Sequence, residues 1–560
     1  MNKSWFTIKI AGPAGMGIKS GGNLMSSYFQ KLGFYFTDYS EYPSLVRGGH
    51  NTYQTSLSQK PIHSVYKYID IFFSLKPDHF FPHQDEFSKD SLVLSDQDIK
   101  TTKFKSQKLP LSQFQTQLNS PLIGNVICFG VLIFLFDTDI NLAKRLIRQT
   151  YTNKADLNIK AFNLAIDYAS KNYQAIKKRL KNKLPKPAKQ KVDNQTSYDG
   201  NQAFAYGFYH AGGNFYAAYP MTPSTGALHL LAKKTQDWHM TVIHPEDEIA
   251  VASLASGASY AGAVPAVGTS GGGFALMNET VSFNGIAELG VLYYLVSRPG
   301  PATGMPTWTS QADLLYAIFS GHGDFPKIVI APGDQQESFY LAQNATHLSQ
   351  QLQTPVIFLS DKHIAESGCS LPDFDKLPIK KYKEKFITNP TKDFKRYTLA
   401  IQTGVSPRTI PGIKSGQFLA NSYEHDQAGF STEDSIIATQ MADKRAKKWA
   451  TAKKLSPSPQ LFKTGGKNLI ISWGSTKGAI LEAFNLGLKN YDYLQIKTLW
   501  PLSDKITSIS KNYSKIIVIE NNQFGHLNFL LKTLSIPVDR LITKYDGRPF
   551  FPEELYDQLT

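Results

Sequence analysis

The sequence predicts an α/β chain of several parallel-sheet domains, and three observations carry that expectation. Its 560 residues exceed what one core organises, at roughly 100–200 residues per domain. A strand, a Gly-rich turn, a helix and a second strand open it, in TIKIAGPAGMGIKSGGNLMSSYFQKLGFYFTDYS. The same alternation restarts after residue 198 and again after residue 468. The expected division is a first α/β domain over 1–180, a linker over 181–197, a second α/β domain over 198–365, an irregular connecting region over 366–465 and a C-terminal α/β domain over 466–560.

In the first domain the cluster Gly12-Pro-Ala-Gly15-Met-Gly17 stands between strand and helix, where free backbone amides and the helix dipole favour an anion. Its G-x-x-G-x-G spacing is the reverse of the dinucleotide fingerprint. Asp38, 21 residues after Gly17, stands where a ribose-binding acid would close a Rossmann unit. Nucleotide binding and a plain tight turn are both open readings of this cluster. The polar run Arg47-Gly48-Gly49-His50-Asn51 reads as a loop at a binding edge. Leu122–Phe136 is apolar but interrupted by Asn125, and it is shorter than the ~20 residues that span a bilayer, so it reads as a buried helix. A further helix is expected from Leu157 to about Leu180.

Residues 141–192 hold 14 Lys/Arg against Asp156 and Asp167, so most of the net charge of +15 is local. A solvated helix tail and a KNKLPKPAKQK tether explain it, with docking of an acidic protein or cofactor as the alternative and no nucleic acid expected. The two prolines of the tether forbid helix there. With 42% apolar and 19% charged residues the chain can bury several cores. Two cysteines, Cys128 and Cys369, cannot supply a four-thiolate cluster or a disulfide framework, which points to a reducing, cytoplasmic setting. The opening MNKSWFTIKIAGPAG lacks the apolar core of a secretory signal, so neither export nor membrane insertion is expected.

The second domain alternates helices (201–211, 248–261) with the strands PAVGTS, ELGVLYYLVS, KIVIAP and TPVIFLSD. Tyr219-Pro220-Met-Thr222-Pro-Ser224 places Thr222 in a stiff loop, because each proline fixes its own φ and restricts its predecessor. His244-Pro-Glu246-Asp247-Glu248 precedes a helix of small residues. Acids in a first turn serve the dipole, yet three exceed that need, and a desolvated carboxylate beside small residues can exchange protons near pH 7. Gly271-Gly272-Gly273 follows a strand as a close-approach turn. Arg298 ends another strand ahead of a Pro/Gly-rich loop, where it can clamp a carboxylate, or else lie solvated or ion-paired. Downstream, 366–465 has few apolar runs, and LIISWGS, KGAILEAFNLGL, YLQIKTL, KIIVIENN and one final helix restore the rhythm.

Taken in order, YPMTPS, PEDEIA, TSGGGFALMNE, SRPGPATGMPT, GHGDFPKIVIAPG, TPVIFLSDKH, YEHDQAG, ISWGSTKG, VIENNQFGHL and YDGRPF resemble the α chain of 2-oxoacid:ferredoxin oxidoreductases, and GPAGMGIKSGG with SLVRGGHNTYQ resembles the family's γ domain fused ahead of it. Met221 stands where the family usually has Ile, Gly-Gly-Gly where it has Gly-Pro-Gly, and Ala14-Gly15-Met16-Gly17 where it has Gly-Gly-Gln-Gly. The resemblance implies a thiamine-diphosphate pyrimidine-binding domain and a transketolase C-terminal-like domain. It implies oxidative decarboxylation of a 2-oxoacid, most readily 2-oxoglutarate, with pyruvate or a branched-chain 2-oxoacid as alternatives, to acyl-CoA and CO₂ with reduction of ferredoxin. Glu248 would hold the aminopyrimidine, with Glu246 in reserve. Tyr219, Pro220, Gly271, Gly272 and Gly273 would line the cofactor, and Thr222 and Arg298 would orient the substrate. Gly12, Gly15, Gly17, Arg47, Gly48 and Gly49 would meet substrate or CoA. The sequence has no Gly-Asp-Gly, so the resemblance assigns Mg²⁺, the diphosphate and the iron-sulfur cluster to a separate β subunit, in an (αβ)₂ assembly, with no metal on this chain. A nucleotide-binding regulatory protein is the reading from another class.

Overall fold

The computed structural model describes residues 3–44, 48–181, 183–188, 195–379, 381–382, 386–399 and 401–560. Three sheets organise them. The first has eight strands, in the order Lys105–Lys108, Phe87–Ser95, Ile69–Ser74, Trp5–Ala14, Gly48–Ser58, Tyr35–Glu41, Gly368–Pro372, Gln195–Asp199. The first four run parallel, whereas Gly48–Ser58 is antiparallel to both of its neighbours. This corrects the expected parallel opening. The connection from Glu41 to Gly48 is too short for a crossover, so the chain must reverse, and the returning strand takes the place beside Trp5–Ala14. Asp38 is consequently interior. It accepts hydrogen bonds from the Tyr53 hydroxyl at 2.5 Å and the Gly368 amide at 2.6 Å, and burial pushes its carboxyl up to about 7. It reaches no ribose site.

The predicted apolar helix forms as Gly124–Phe136, with every residue but Phe134 buried in the core of this domain. Among the described residues no helix is long and apolar enough to cross a membrane. The helix expected from Leu157 to Leu180 breaks at Tyr173, a non-helical residue, into Ala155–Asn172 and Gln174–Leu180. Strand Gln195–Asp199 reaches into the segment read as linker, because Gly368–Pro372 offers it an unpaired edge. The first sheet therefore crosses the tether.

The second sheet orders Thr498–Trp500, Ile328–Ile330, Val356–Asp361, Leu292–Ser297, Pro265–Thr269, Phe215–Ala217, Thr241–Ile243. All run parallel except Thr498–Trp500. Its helices start where aspartates cap them: Asp199 with Gln202 in a capping box for Gly200–His210, Asp247 for Glu248–Tyr260 and Asp334 for Gln335–Leu352. The third sheet, Gln460–Phe462, Tyr491–Gln495, Asn468–Ser472, Lys515–Glu520, Arg540–Thr543, is parallel beyond its first strand. YLQIKTL, read as one strand, divides between the second and third sheets. The single final helix is two, His526–Thr533 and Pro552–Leu559, with Arg540–Thr543 between them. Leu469, Ile471, Trp473 and Leu494 share one apolar core with Val267, Tyr293 and Leu295, so the last two sheets pack directly on each other.

The connecting region carries helices Ser435–Ala446 and Lys448–Leu455 and is otherwise largely irregular. Buried ions hold it. Arg396 donates to the Glu288 carbonyl at 3.0 Å and to Gln353 Oε1 at 2.9 Å, while Lys444 and Lys448 pair with the fully buried Glu288 carboxylate. Burial opposes ionisation there, and the three cations overcome it, holding Glu288 far below the usual carboxylate range.

Candidate active site

Four neighbouring parallel strands end on the same edge of the second sheet, and each releases one of the segments singled out in the sequence. Phe215–Ala217 leads into Tyr219–Ser224, Thr241–Ile243 into His244–Glu248, Pro265–Thr269 into Gly271–Gly273, and Leu292–Ser297 into Arg298–Thr307. The carboxyl edge of an open α/β sheet is where ligands bind, because the loops converge there and leave a crevice.

The three acids divide their work. Asp247 accepts from the Ala250 amide at 2.8 Å and caps the helix. Glu246 is exposed and lines a shallow hollow of about 660 Å³ with Phe215, Ala250 and Leu254, without Gly271–Gly273, which are not the turn expected from the sequence but the start of helix Gly271–Leu276. Glu248 is only 4% exposed, and its Oε1 has no hydrogen-bond partner among the described residues. It lies against Gly273, where a Cβ would come within 2.5 Å of Oε1 and 2.1 Å of Thr269 Oγ1. Gly272 faces open space. A buried carboxyl oxygen left without a hydrogen-bond partner is costly, which singles this one out among the three acids.

Arg298 is half-buried, and its Nη1 donates to the Thr222 carbonyl at 2.8 Å, tying the proline loop to the arginine loop. Burial lowers its pKa, and the charge of Asp313 opposes that. Tyr219 and Pro220 are exposed at the rim, with the Tyr219 ring edge-on to His244 at 5.8 Å. The sequence reading missed Asp313. This half-buried carboxylate accepts from the Ser297 hydroxyl at 2.6 Å and fills the space where a Cβ on Gly271 would lie 2.7 Å from each of its oxygens. No motif marks it in QADLL; only the fold brings it beside residues 271 and 297.

Two of the N-terminal glycines line a second cavity. Gly15 and Gly17 (φ +88° and +71°) line a cavity of about 770 Å³ with Lys19, Ser20, Glu41, Tyr42, Asn51 and Thr52, at the start of helix Ile18–Lys31. Asn51 Nδ2 and Thr52 Oγ1 are buried there without partners among the described residues. Gly12 packs against Leu75 instead, and Gly48 and Gly49 are exposed beyond the lining. Arg47 lies outside the described residues. The two sites touch one loop: the Thr307 hydroxyl donates to the Tyr42 carbonyl at 2.5 Å.

Residues 206–444 match the family model for pyruvate flavodoxin/ferredoxin oxidoreductase, thiamine diphosphate-binding, and residues 7–168 match that for pyruvate ferredoxin/flavodoxin oxidoreductase. The α subunit of a 2-oxoacid:ferredoxin oxidoreductase from Saccharolobus solfataricus is 30% identical over 99% of this chain and 97% of its own. The 2-oxoglutarate synthase subunit KorA of Archaeoglobus fulgidus is 43% identical over 30% of this chain and 49% of its own. A solved 2-oxoglutarate:ferredoxin oxidoreductase from Magnetococcus marinus, with 2-oxoglutarate, coenzyme A and succinyl-CoA bound, superposes with a TM-score of 0.89 at 27% identity, covering 99% of each chain.

Proposed function

We propose that this chain, which belongs to the family of 2-oxoacid:ferredoxin oxidoreductase α subunits, supplies the pyrimidine side of a thiamine diphosphate site and acts on 2-oxoglutarate. One observation carries the reading: the buried, unpartnered Glu248 Oε1 against the glycines that open helix Gly271–Leu276, which exclude any side chain at 273. These residues fit a flat aminopyrimidine, which offers a ring nitrogen to a carboxyl proton and needs close backbone approach. Thiamine diphosphate, when bound, supplies the electron sink for decarboxylation. Glu248 holds the proton at the pyrimidine nitrogen, and Gly271–Gly273 leave room for the ring. Thr222 and Arg298, joined through the Thr222 carbonyl, orient the 2-oxoacid, the guanidinium meeting a carboxylate. The N-terminal cavity, with Lys19 and a helix N-terminus, takes the phosphates of coenzyme A. Mg²⁺, the diphosphate and the iron-sulfur cluster belong to a β subunit in an (αβ)₂ assembly that passes electrons to ferredoxin.

The test is reconstitution. The chain alone, with thiamine diphosphate and Mg²⁺, should turn over no 2-oxoacid, and a co-expressed β chain should confer activity that Glu248→Gln removes together with proton exchange at the thiazolium C2. Glu246→Gln should retain most exchange. Turnover by the chain alone, or wild-type exchange in Glu248→Gln, would overturn the reading.

A further inference from the structure

Five polar side chains outside the candidate active site form an unbroken chain. His50 comes from strand Gly48–Ser58, His79, His83 and Glu86 from the 3₁₀ segment Pro77–Glu86, and Lys9 from strand Trp5–Ala14. The Nδ1 atoms of His50 and His79 are 2.7 Å apart, as are the Nε2 atoms of His50 and His83. His83 Nδ1 lies 2.9 Å from Glu86 Oε1, and Lys9 Nζ lies 2.7 Å from Glu86 Oε2. His50 uses opposite ring nitrogens for its two neighbours, so the imidazoles do not converge on one ion, and no metal-holding group of three ligands occurs among the described residues.

The chemistry of the last link determines all the others. Although burial opposes it, Lys9 and His83 hold the Glu86 carboxyl down to about 2, so Glu86 is ionised and can only accept. His83 must therefore donate from Nδ1, which leaves its Nε2 bare. His50 must donate to that atom from its own Nε2, which leaves its Nδ1 bare. His79 must then donate from Nδ1. One half-buried ion pair thus sets three tautomers in sequence.

We propose that His50 is a positioning residue for the N-terminal cavity, held by this chain. His50 immediately precedes Asn51 and Thr52, whose unpartnered Nδ2 and Oγ1 line that cavity. The backbone ladder is irregular at this point: the register between strands Trp5–Ala14 and Gly48–Ser58 shifts between Gly12 and Ala14. A ring gripped at both nitrogens fixes the strand end that the ladder holds poorly, and so aims the two polar groups. The inference rests on the cavity's taking a phosphorylated ligand.

Nitrogen-15 NMR of the histidine-labelled chain reads the tautomers, and adenosine 3′,5′-bisphosphate probes the cavity in the assembled complex. His79 and His83 should be Nδ1–H tautomers and His50 an Nε2–H tautomer. Glu86→Gln, whose amide can donate as well as accept, should return His83 toward the Nε2–H form that free imidazole prefers. His50→Phe, which keeps a ring but removes both bonds, should weaken the probe about tenfold, the scale of one lost hydrogen bond. His79→Gln, at the half-buried end, should weaken it less. An Nε2–H tautomer at His83 in the wild type, or unchanged probe affinity in His50→Phe, would overturn the assignment to His50 alone. A wild-type complex that binds no probe would remove the cavity's ligand and the role of His50 with it.

Discussion

Gly273 and Gly272 are neighbours in sequence with opposite surroundings. A methyl at 273 would strike Glu248 and Thr269, whereas one at 272 meets nothing within 4 Å. Gly273→Ala should therefore lower stability by about 1–3 kcal/mol, the usual cost of overpacking, and abolish cofactor-dependent exchange. Gly272→Ala should leave the thermal midpoint nearly unchanged. Equal midpoints for the two variants would contradict the packing. Arg298 permits a parallel measurement: Arg298→Ala in the assembled enzyme should depress kcat/KM about ten- to a hundredfold for 2-oxoglutarate, one charge-assisted hydrogen bond being worth about 1.5–3 kcal/mol. A smaller loss for pyruvate would assign Arg298 to the distal carboxylate. An equal loss would assign it to the carboxylate that all 2-oxoacids share.

At the scale of elements, strand Tyr35–Glu41 carries the buried Asp38, whose carboxyl burial raises from 3.8 to about 7. Between those pH values the unfolded chain gives up the proton while the folded chain keeps it. The folded state therefore binds more protons, and this group's contribution to stability falls as pH rises from about 4 to 7. Asp38→Asn, which cannot ionise, should flatten that part of the pH–stability profile in denaturant titrations at pH 4, 5.5 and 7. An unchanged slope would mean that another group carries it. The strand itself was legible in the sequence, but the fate of its aspartate was not. Spacing after Gly17 suited a ribose acid, and only the antiparallel return of Gly48–Ser58 brings the Tyr53 hydroxyl, one pair along from the directly opposed Thr55 on the same face, onto it.

At the scale of the whole molecule, the irregular region and the second domain are joined by the buried Glu288 with Lys444, Lys448 and Arg396. Removing one member of a buried ion cluster strands the remaining charges, at about 3–5 kcal/mol. Glu288→Gln should accordingly lower the thermal midpoint and speed proteolytic cleavage within residues 401–434, while cleavage in the first domain stays slow. Uniform cleavage across the chain would show that the cluster stabilises every part equally. The continuous apolar core between the last two sheets further predicts that residues 466–560, expressed alone, will not fold stably, since Trp473 and Leu494 would lose their cover.

The sequence by itself determined most of the local elements and the four segments of the candidate active site. Glycine, proline and capping aspartate act within a few residues, and parallel strands bring their carboxyl ends to one edge whatever else the chain does. It also determined the family, through motifs spread along nearly its whole length. Only the tertiary structure decided which of three adjacent acids is buried beside Gly273, that Asp313 lies beside Gly271, that one strand of the first sheet returns antiparallel, and that two sheets draw strands from segments distant in sequence. Those outcomes depend on burial and on partners hundreds of residues away, and no local pattern of residues encodes a partner at that distance.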